Sequence, residues 1–120
     1  MIRFYGHLTC GTCRKAKNWL QSRDIPVQSL NIADDPPPRD TLARLLDEAG
    51  YSVRQLFNVS GQAYRERKLK DRLPRMSRDE ALDLLASDGM LIKRPVIIDE
   101  DTSRATVGFK EEQFERVWGA

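Results

Sequence analysis

The sequence predicts an α/β fold, a small mixed four-stranded sheet with helices packed against it. Its 120 residues, 40% hydrophobic and 32% charged, suit one domain with a single modest core. Short apolar or β-branched runs alternate with longer stretches in which apolar residues recur every three or four positions. Strands and helices that alternate in this way pack as layers, so we expect helices on the faces of the sheet.

The first third of the chain predicts a strand, a helix and a second strand. Residues 2–5 form an apolar and aromatic run that leads into a loop, and residues 12–23 favour a helix with Ala16, Trp19 and Leu20 on one face. Pro26 ends this helix, because proline and the residue before it leave helical geometry. Residues 27–32 then alternate loosely, as in a strand.

Helices dominate the middle of the chain. The three prolines at 36–38 indicate a rigid loop, and residues 39–49 favour a helix that Gly50 caps. Residues 51–75 predict two short helices around a turn at 58–61, the second of them over residues 62–73. Ser77 and Glu80 match the capping box of a further helix, which ends near Asp88.

The last third predicts a hairpin and a terminal helix. Residues 96–98 form a β-branched strand with Pro95 at its entrance, and residues 105–108 can pair with it. Residues 109–118 favour a helix with Phe114, Val117 and Trp118 facing inward.

Composition excludes several classes of protein. No run of eighteen apolar residues and no secretory leader is present, so we expect a cytoplasmic protein without membrane contact. The formal charge of +2 is too balanced for a general nucleic-acid coat. Two cysteines three positions apart do not form the disulfide framework of a small secreted domain.

Cys10 and Cys13 form a C-x-x-C pair at the predicted junction of strand and helix. A helix that starts near Gly11 would present partial positive charge to the Cys10 sulfur, and a thiolate is the attacking form of cysteine. Cys13, one turn along, could attack a mixed disulfide on Cys10. Gly11 leaves the backbone open to a substrate, and the candidates to bind the same anion are Thr9, Thr12 and the cation Arg14.

Other interpretations of these residues stay open. Zinc would need further cysteine or histidine ligands, and His7 is the only histidine, so the sequence favours no metal. The two cysteines could instead be buried and inert. His7 could assist Cys10 or be an ordinary loop residue. Arg94 could bind an oxyanion or form an exposed salt bridge, and Pro95 could follow a cis or a trans peptide bond.

Residues 65–78 carry seven Lys or Arg residues against two acidic residues. Such a stretch could contact an acidic partner or nucleic acid, but a solvated helix face explains it as well. Tyr64 is the only nearby aromatic residue that could stack on a base, so direct nucleic-acid binding is not expected.

The chain resembles the arsenate reductase (ArsC), YffB and Spx family of small proteins with a thioredoxin-like fold. The motifs that carry the resemblance are Phe4-Tyr5, residues 10–16 (CGTCRKA), residues 56–61 (LFNVSG), residues 87–95 (SDGMLIKRP) and residues 107–109 (VGF). The resemblance implies one domain over residues 1–120, with a thioredoxin-like core at about 1–35 and 88–120 and a helical insertion at about 39–87. It also implies that Cys10 is the nucleophile, Arg94 an oxyanion-binding arginine and Pro95 a cis proline.

The resemblance implies an arsenate reductase-like thiol–disulfide oxidoreductase in which Cys13 or an external thiol resolves the adduct on Cys10. No cofactor is implied, and glutathione, glutaredoxin or thioredoxin could return the electrons. Arsenate reductases of this kind use three arginines, whereas here Asn58 stands near the first and Gly108-Phe109 replaces the region of the third, so the resemblance does not by itself imply arsenate specificity. The alternative is an Spx-like redox-sensing regulator that binds the C-terminal domain of the α subunit of RNA polymerase, because Spx proteins carry the C-x-x-C.

Overall fold

Four short strands form one mixed sheet in the computed structural model, which describes residues 1–119. The strands are β1 (Ile2–Gly6), β2 (Val27–Asn31), β3 (Val96–Asp99) and β4 (Arg104–Val107), in the order β2-β1-β3-β4. β1 pairs in parallel with β2 and antiparallel with β3, and β3 and β4 form an antiparallel hairpin. The predicted mixed four-stranded sheet is confirmed.

Two helices pack on this sheet, α1 (Gly11–Ser22) and α7 (Glu111–Trp118). The edge of the Trp19 ring meets the Phe114 ring at 5.3 Å between centroids, which joins α1 to α7. The indole N–H of Trp118 donates to the Thr106 hydroxyl over 3.1 Å and ties α7 to β4. The shared core consists of Phe4, Cys13, Ala16, Trp19, Leu20, Ile97, Phe114 and Trp118.

The chain divides into two compact units. The first unit comprises Met1–Asn31 and the chain from Arg94 onward, and it contains the whole sheet. The second unit, Ile32–Lys93, is helical. Its helices are α2 (Arg39–Asp47), α3 (Val53–Leu56), α4 (Gln62–Glu66), α5 (Leu69–Arg72) and α6 (Arg78–Ser87), with 3₁₀ turns at Leu73–Arg75 and Gly89–Leu91.

Local sequence signals and ion pairs account for much of the second unit. The capping box at the start of α6 is present, since the Ser77 hydroxyl accepts the Glu80 N–H at 3.1 Å and the Glu80 carboxylate accepts the Ser77 N–H at 3.3 Å. Arg78 makes a bidentate contact with Asp47 of α2, which holds the pKa of that carboxyl below its usual range. α2 ends at Asp47 with Glu48 as its C-cap, so the predicted end at residue 49 with Gly50 as the cap is wrong; Gly50 lies in the turn that follows, with a φ of +79°.

The continuous helix predicted over residues 62–73 is wrong. α4 ends at Glu66, Lys68 adopts a left-handed conformation with a φ of +53°, and α5 begins at Leu69. Tyr64 and Leu69 are both buried. In a continuous helix, Tyr64 and Leu69 are five positions apart and would lie about 140° apart around the axis. The break at Lys68 lets both side chains face the core.

Among residues 1–119, no helix has both the length and the apolar character needed to cross a membrane.

Candidate active site

Cys10 occupies the N-cap position of α1. Its backbone is extended, with φ −92° and ψ 110°, and helical geometry begins at Gly11. The Cys10 sulfur accepts the backbone N–H of Cys13 at 3.2 Å. This is the contact that a serine or aspartate makes at an ordinary N-cap, where it satisfies a free amide of the first turn. A half-buried sulfur therefore lies at the positive end of the helix dipole.

Cys13 lies one turn further along and is buried, with 5% of its surface exposed. Burial, followed by a hydrogen bond to Cys10, raises the pKa of the Cys13 thiol to about 12; the His7 backbone and the charge of Arg94 act in the opposite direction. Both cysteines are free thiols. At neutral pH, Cys13 is a protonated thiol beside Cys10.

Arg94 and Pro95 precede β3, in the same unit as the two cysteines. The bond between them is cis, as the family resemblance implied. Pro95 is buried, and its carbonyl accepts the Gly108 N–H at 2.9 Å. Nε and Nη1 of Arg94 are buried, yet neither donates a hydrogen bond within the described residues. Buried guanidinium donors without an acceptor are costly, and they are suited to an anion that arrives with a substrate.

The loop between β1 and α1 contains the other binding candidates. The Thr9 N–H donates to His7 Nδ1 at 3.3 Å, and the Thr9 hydroxyl lies 2.8 Å from the same nitrogen. Nδ1 of His7 therefore holds Thr9, which fits an ordinary loop role for this histidine. Thr12 and Gly11 are exposed, and a Cβ added to Gly11 would meet only Nη2 of Arg14, at 4.0 Å. The backbone between the two cysteines is therefore open.

Asn58 belongs to the second unit. Its backbone N–H donates to the Leu91 carbonyl at 2.8 Å, and its side-chain oxygen accepts the Ser60 hydroxyl at 3.5 Å. A Cβ on Gly61 would lie 2.6 Å from the Asn58 amide nitrogen, so the glycine leaves room for this side chain. These contacts shape the turn at residues 58–61.

The basic stretch at residues 65–78 uses several of its cations within the second unit. Arg65 donates to the Ser60 carbonyl at 2.7 Å, and Arg67 pairs with Asp88 at 3.0 Å. Tyr64 is buried and offers no face on which a base could stack. These contacts fit the interpretation of the basic stretch as a solvated face of the protein.

A cavity that the sequence did not predict lies beside Cys13. It lies in the first unit and has a volume of about 330 Å³. A strand–helix–strand unit predicts that two parallel strands end at the same edge of a sheet, where ligands bind in α/β proteins, and this was the signal available from the sequence. The lining residues are Phe4, Gly6, His7, Leu8, Cys13, Arg14, Lys17, Ser29, Leu30 and Asn31.

Among the residues that the structure describes, no group of three or more His, Cys, Asp or Glu could hold a metal ion.

Strand order β2-β1-β3-β4, with a cysteine pair at the start of the helix that follows β1, defines a thioredoxin-like protein. Within that class the chain belongs to the ArsC family, whose model matches residues 5–117. The fold class and the family resemblance predicted from the sequence are thus confirmed.

Two curated proteins and one solved structure illustrate the similarity. YusI of Bacillus subtilis (strain 168) is 49% identical over 117 residues, which cover 98% of each chain. The global transcriptional regulator Spx of Lactiplantibacillus plantarum is 28% identical over 116 residues, covering 97% of this chain and 85% of that protein. A crystal structure of an ArsC-family-related protein from Bacteroides fragilis superposes with a TM-score of 0.90 at 38% identity, covering 97% of this chain and 96% of that one.

Proposed function

We propose that this protein is a thiol–disulfide oxidoreductase in which Cys10 is the nucleophile. The observation that carries the proposal is the position of the Cys10 sulfur, which caps α1 and accepts the Cys13 N–H while the protonated Cys13 thiol lies beside it. An N–H donor and the positive end of the helix dipole both face this sulfur, and the attacking form of a cysteine is the thiolate. Membership of the ArsC family supports the same chemistry.

The first step is attack of the Cys10 thiolate on one sulfur of a substrate disulfide. A bond forms between Cys10 and that sulfur, the substrate S–S bond breaks, and the second substrate sulfur leaves as a thiolate. Arg94 stabilises the developing anion, because Nε and Nη1 have no partner among the described residues and would gain one. Thr9, Thr12 and Arg14 are the further candidates to bind the substrate at the open loop.

The second step is attack of Cys13 on the mixed disulfide. Burial raises the pKa of Cys13 most, but its contact with Cys10 adds to the effect. Once Cys10 is bonded to the substrate, it carries no negative charge. Cys10 then no longer raises the pKa of Cys13, so Cys13 loses its proton more readily. The Cys13 thiolate then bonds to Cys10 and releases the other half of the substrate as a thiol. The substrate gains two electrons, and the protein ends as the Cys10–Cys13 disulfide.

An external thiol must return these two electrons. Glutathione, glutaredoxin or thioredoxin would do so by the same exchange, and the proposal needs no organic or metal cofactor. We propose the cytoplasm as the compartment, where such thiols are kept reduced.

Trapping of the intermediate tests the proposal. Reduced Cys13→Ser protein mixed with glutathione disulfide should retain one glutathione on Cys10, measured as the intact mass. Cys10→Ser protein should retain none, and wild type should pass on to a protein disulfide and release glutathione. An absence of adduct on Cys13→Ser would contradict the proposal. Arsenate, supplied with glutathione in a parallel assay, tests whether the substrate class extends to oxyanions.

Similarity to Spx regulators over 97% of this chain supports a second candidate, a redox-sensing regulator that binds the C-terminal domain of the α subunit of RNA polymerase. In that case the Cys10–Cys13 disulfide would change a binding surface instead of serving turnover. Capture of this polymerase domain by the oxidised but not the reduced protein, together with no turnover of disulfides, would favour the regulator. Turnover that is lost in Cys10→Ser, without capture, would favour the enzyme.

A further inference from the structure

The cavity beside Cys13 lies where parallel strands β1 and β2 end. Phe4 pairs with Ser29 and Gly6 pairs with Asn31, and these four residues line it together with the first turns of α1. Its volume of about 330 Å³ is at the lower end of the range for small-molecule sites. Carboxyl ends of parallel strands are where ligands bind in open α/β sheets. Cys10 and Arg94 do not line it, although Cys13 and Arg14, which the proposed function also uses, do.

The charges around this cavity have one sign. Cys13 and Lys17 are one turn apart on α1, and Arg14 lies between them, so both cations reach the same face of the helix. The Lys17 ammonium lies 5.2 Å from the centre of the Phe4 ring, which forms part of the wall. None of the lining residues is an aspartate or a glutamate. The electrostatic complement of this lining is an anion.

The remaining wall is largely apolar. Phe4, Leu8 and Leu30 form this apolar part of the wall. Leu8 is 88% exposed, so a ligand in the cavity would cover an apolar side chain that now faces water. Gly6 keeps the space open. A Cβ at that position would lie 2.7 Å from Cε1 of Phe4 and 3.5 Å from the Cys13 sulfur.

We infer that this cavity binds a small amphiphilic carboxylate, with its anionic head at Lys17 and Arg14 and its apolar body against Phe4, Leu8 and Leu30. Binding is noncovalent and leaves the thiols unchanged. The inference goes beyond the proposed function and does not rest on it, because noncovalent binding needs no reaction at Cys13 and neither Cys10 nor Arg94 lines the cavity.

Titration of the reduced full chain with decanoate, below its micelle concentration, tests the inference. Amide NMR shifts should saturate at Cys13, Ser29 and Leu30 and stay unchanged in α7. Decanol, of the same length but neutral, should bind roughly tenfold more weakly, and decyltrimethylammonium should not bind. Lys17→Met should weaken decanoate binding by about tenfold and leave decanol binding unchanged.

Lys15→Met is the matched control, since Lys15 is an exposed cation of α1 outside the cavity lining. It should bind decanoate as wild type does. Ser29→Trp should fill the cavity from β2 and abolish binding, and Cys10→Ser should retain it. Shifts that fail to saturate, equal binding of all three probes, or equal loss in Lys15→Met and Lys17→Met would each overturn the inference.

Discussion

The backbone N–H of Cys13 donates to the sulfur of Cys10 across 3.2 Å, so one cysteine caps the helix that buries the other. This relationship gives the two thiols different environments although they are three residues apart. Cys10 lies half-buried at the end of α1, and Cys13 lies in the core that α1 shares with the sheet. Two chemically distinct thiols at one helix terminus are what a two-step exchange requires.

The first prediction concerns the rates of alkylation. At about pH 7, iodoacetamide should modify Cys10 much faster than Cys13, because Cys13 is 5% exposed and its pKa is raised to about 12. The single-cysteine variants Cys13→Ser and Cys10→Ser report the two sites separately by intact mass. Denatured protein, in which both sites should react alike, is the control. Similar rates at both sites in the folded protein would show that Cys13 is not protected.

Titration of Cys13 should also make stability depend on alkaline pH. Its pKa is about 12 in the folded chain against 9.0 for an unperturbed thiol, so above about pH 9 the unfolded chain releases this proton first. The contribution to the free energy of unfolding is complete below pH 9 and falls as pH rises toward 12, by up to about 1.4 kcal/mol per pH unit. Urea unfolding should show the gap between wild type and Cys13→Ala narrowing over that range. A constant gap would mean that Cys13 does not titrate as described.

Replacement of Arg94 should separate function from stability. In Arg94→Met, disulfide reduction should fall roughly ten- to hundredfold, since the developing anion loses its charged donors. The free energy of unfolding should stay the same or rise, because Nε and Nη1 are buried without a partner within residues 1–119. Arg23→Met, which removes an exposed ion pair with Glu115, is the control and should leave activity intact. A destabilised but active Arg94→Met protein would assign Arg94 a structural role.

What the sequence could predict depended on whether the determinant was local. The capping box at Ser77 and Glu80 and the cysteine pair before a helix are short-range patterns, and the structure contains both. No short-range pattern predicts the break at Lys68, because the break follows from the burial of both Tyr64 and Leu69 in the folded protein.

Two features of the candidate site depend on tertiary packing. The missing partners of Arg94 result from how that side chain is buried, which no spacing encodes. The cavity beside Cys13 depends on the pairing of β1 with β2 and on the absence of a side chain at Gly6.

The N-cap of α6 supplies a direct test of local stabilisation. Ser77→Ala should lower the free energy of unfolding by about 1 kcal/mol, because the Glu80 N–H loses its acceptor in the first turn. Ser87→Ala, at the other end of the same helix, removes only the hydrogen bond from the Ser87 hydroxyl to the Leu84 carbonyl. It should lower the free energy of unfolding by only a few tenths of that amount. Equal losses in urea unfolding would show that the box contributes no more than an ordinary serine contact.

Two glycines that differ in their surroundings give the last prediction. A Cβ on Gly89 would overlap the carbonyl oxygen of Ile32 and lie 2.7 Å from its carbon, and both obstacles are backbone atoms that cannot rotate away. Gly89→Ala should therefore lower the free energy of unfolding by about 2–3 kcal/mol. Gly11→Ala places its methyl in open space at the exposed start of α1, with only Arg14 Nη2 at 4.0 Å, and should leave stability unchanged or raise it by up to about 1 kcal/mol. The two variants are compared by their denaturant unfolding midpoints, measured side by side. Equal midpoints would refute the close approach of Gly89 to Ile32.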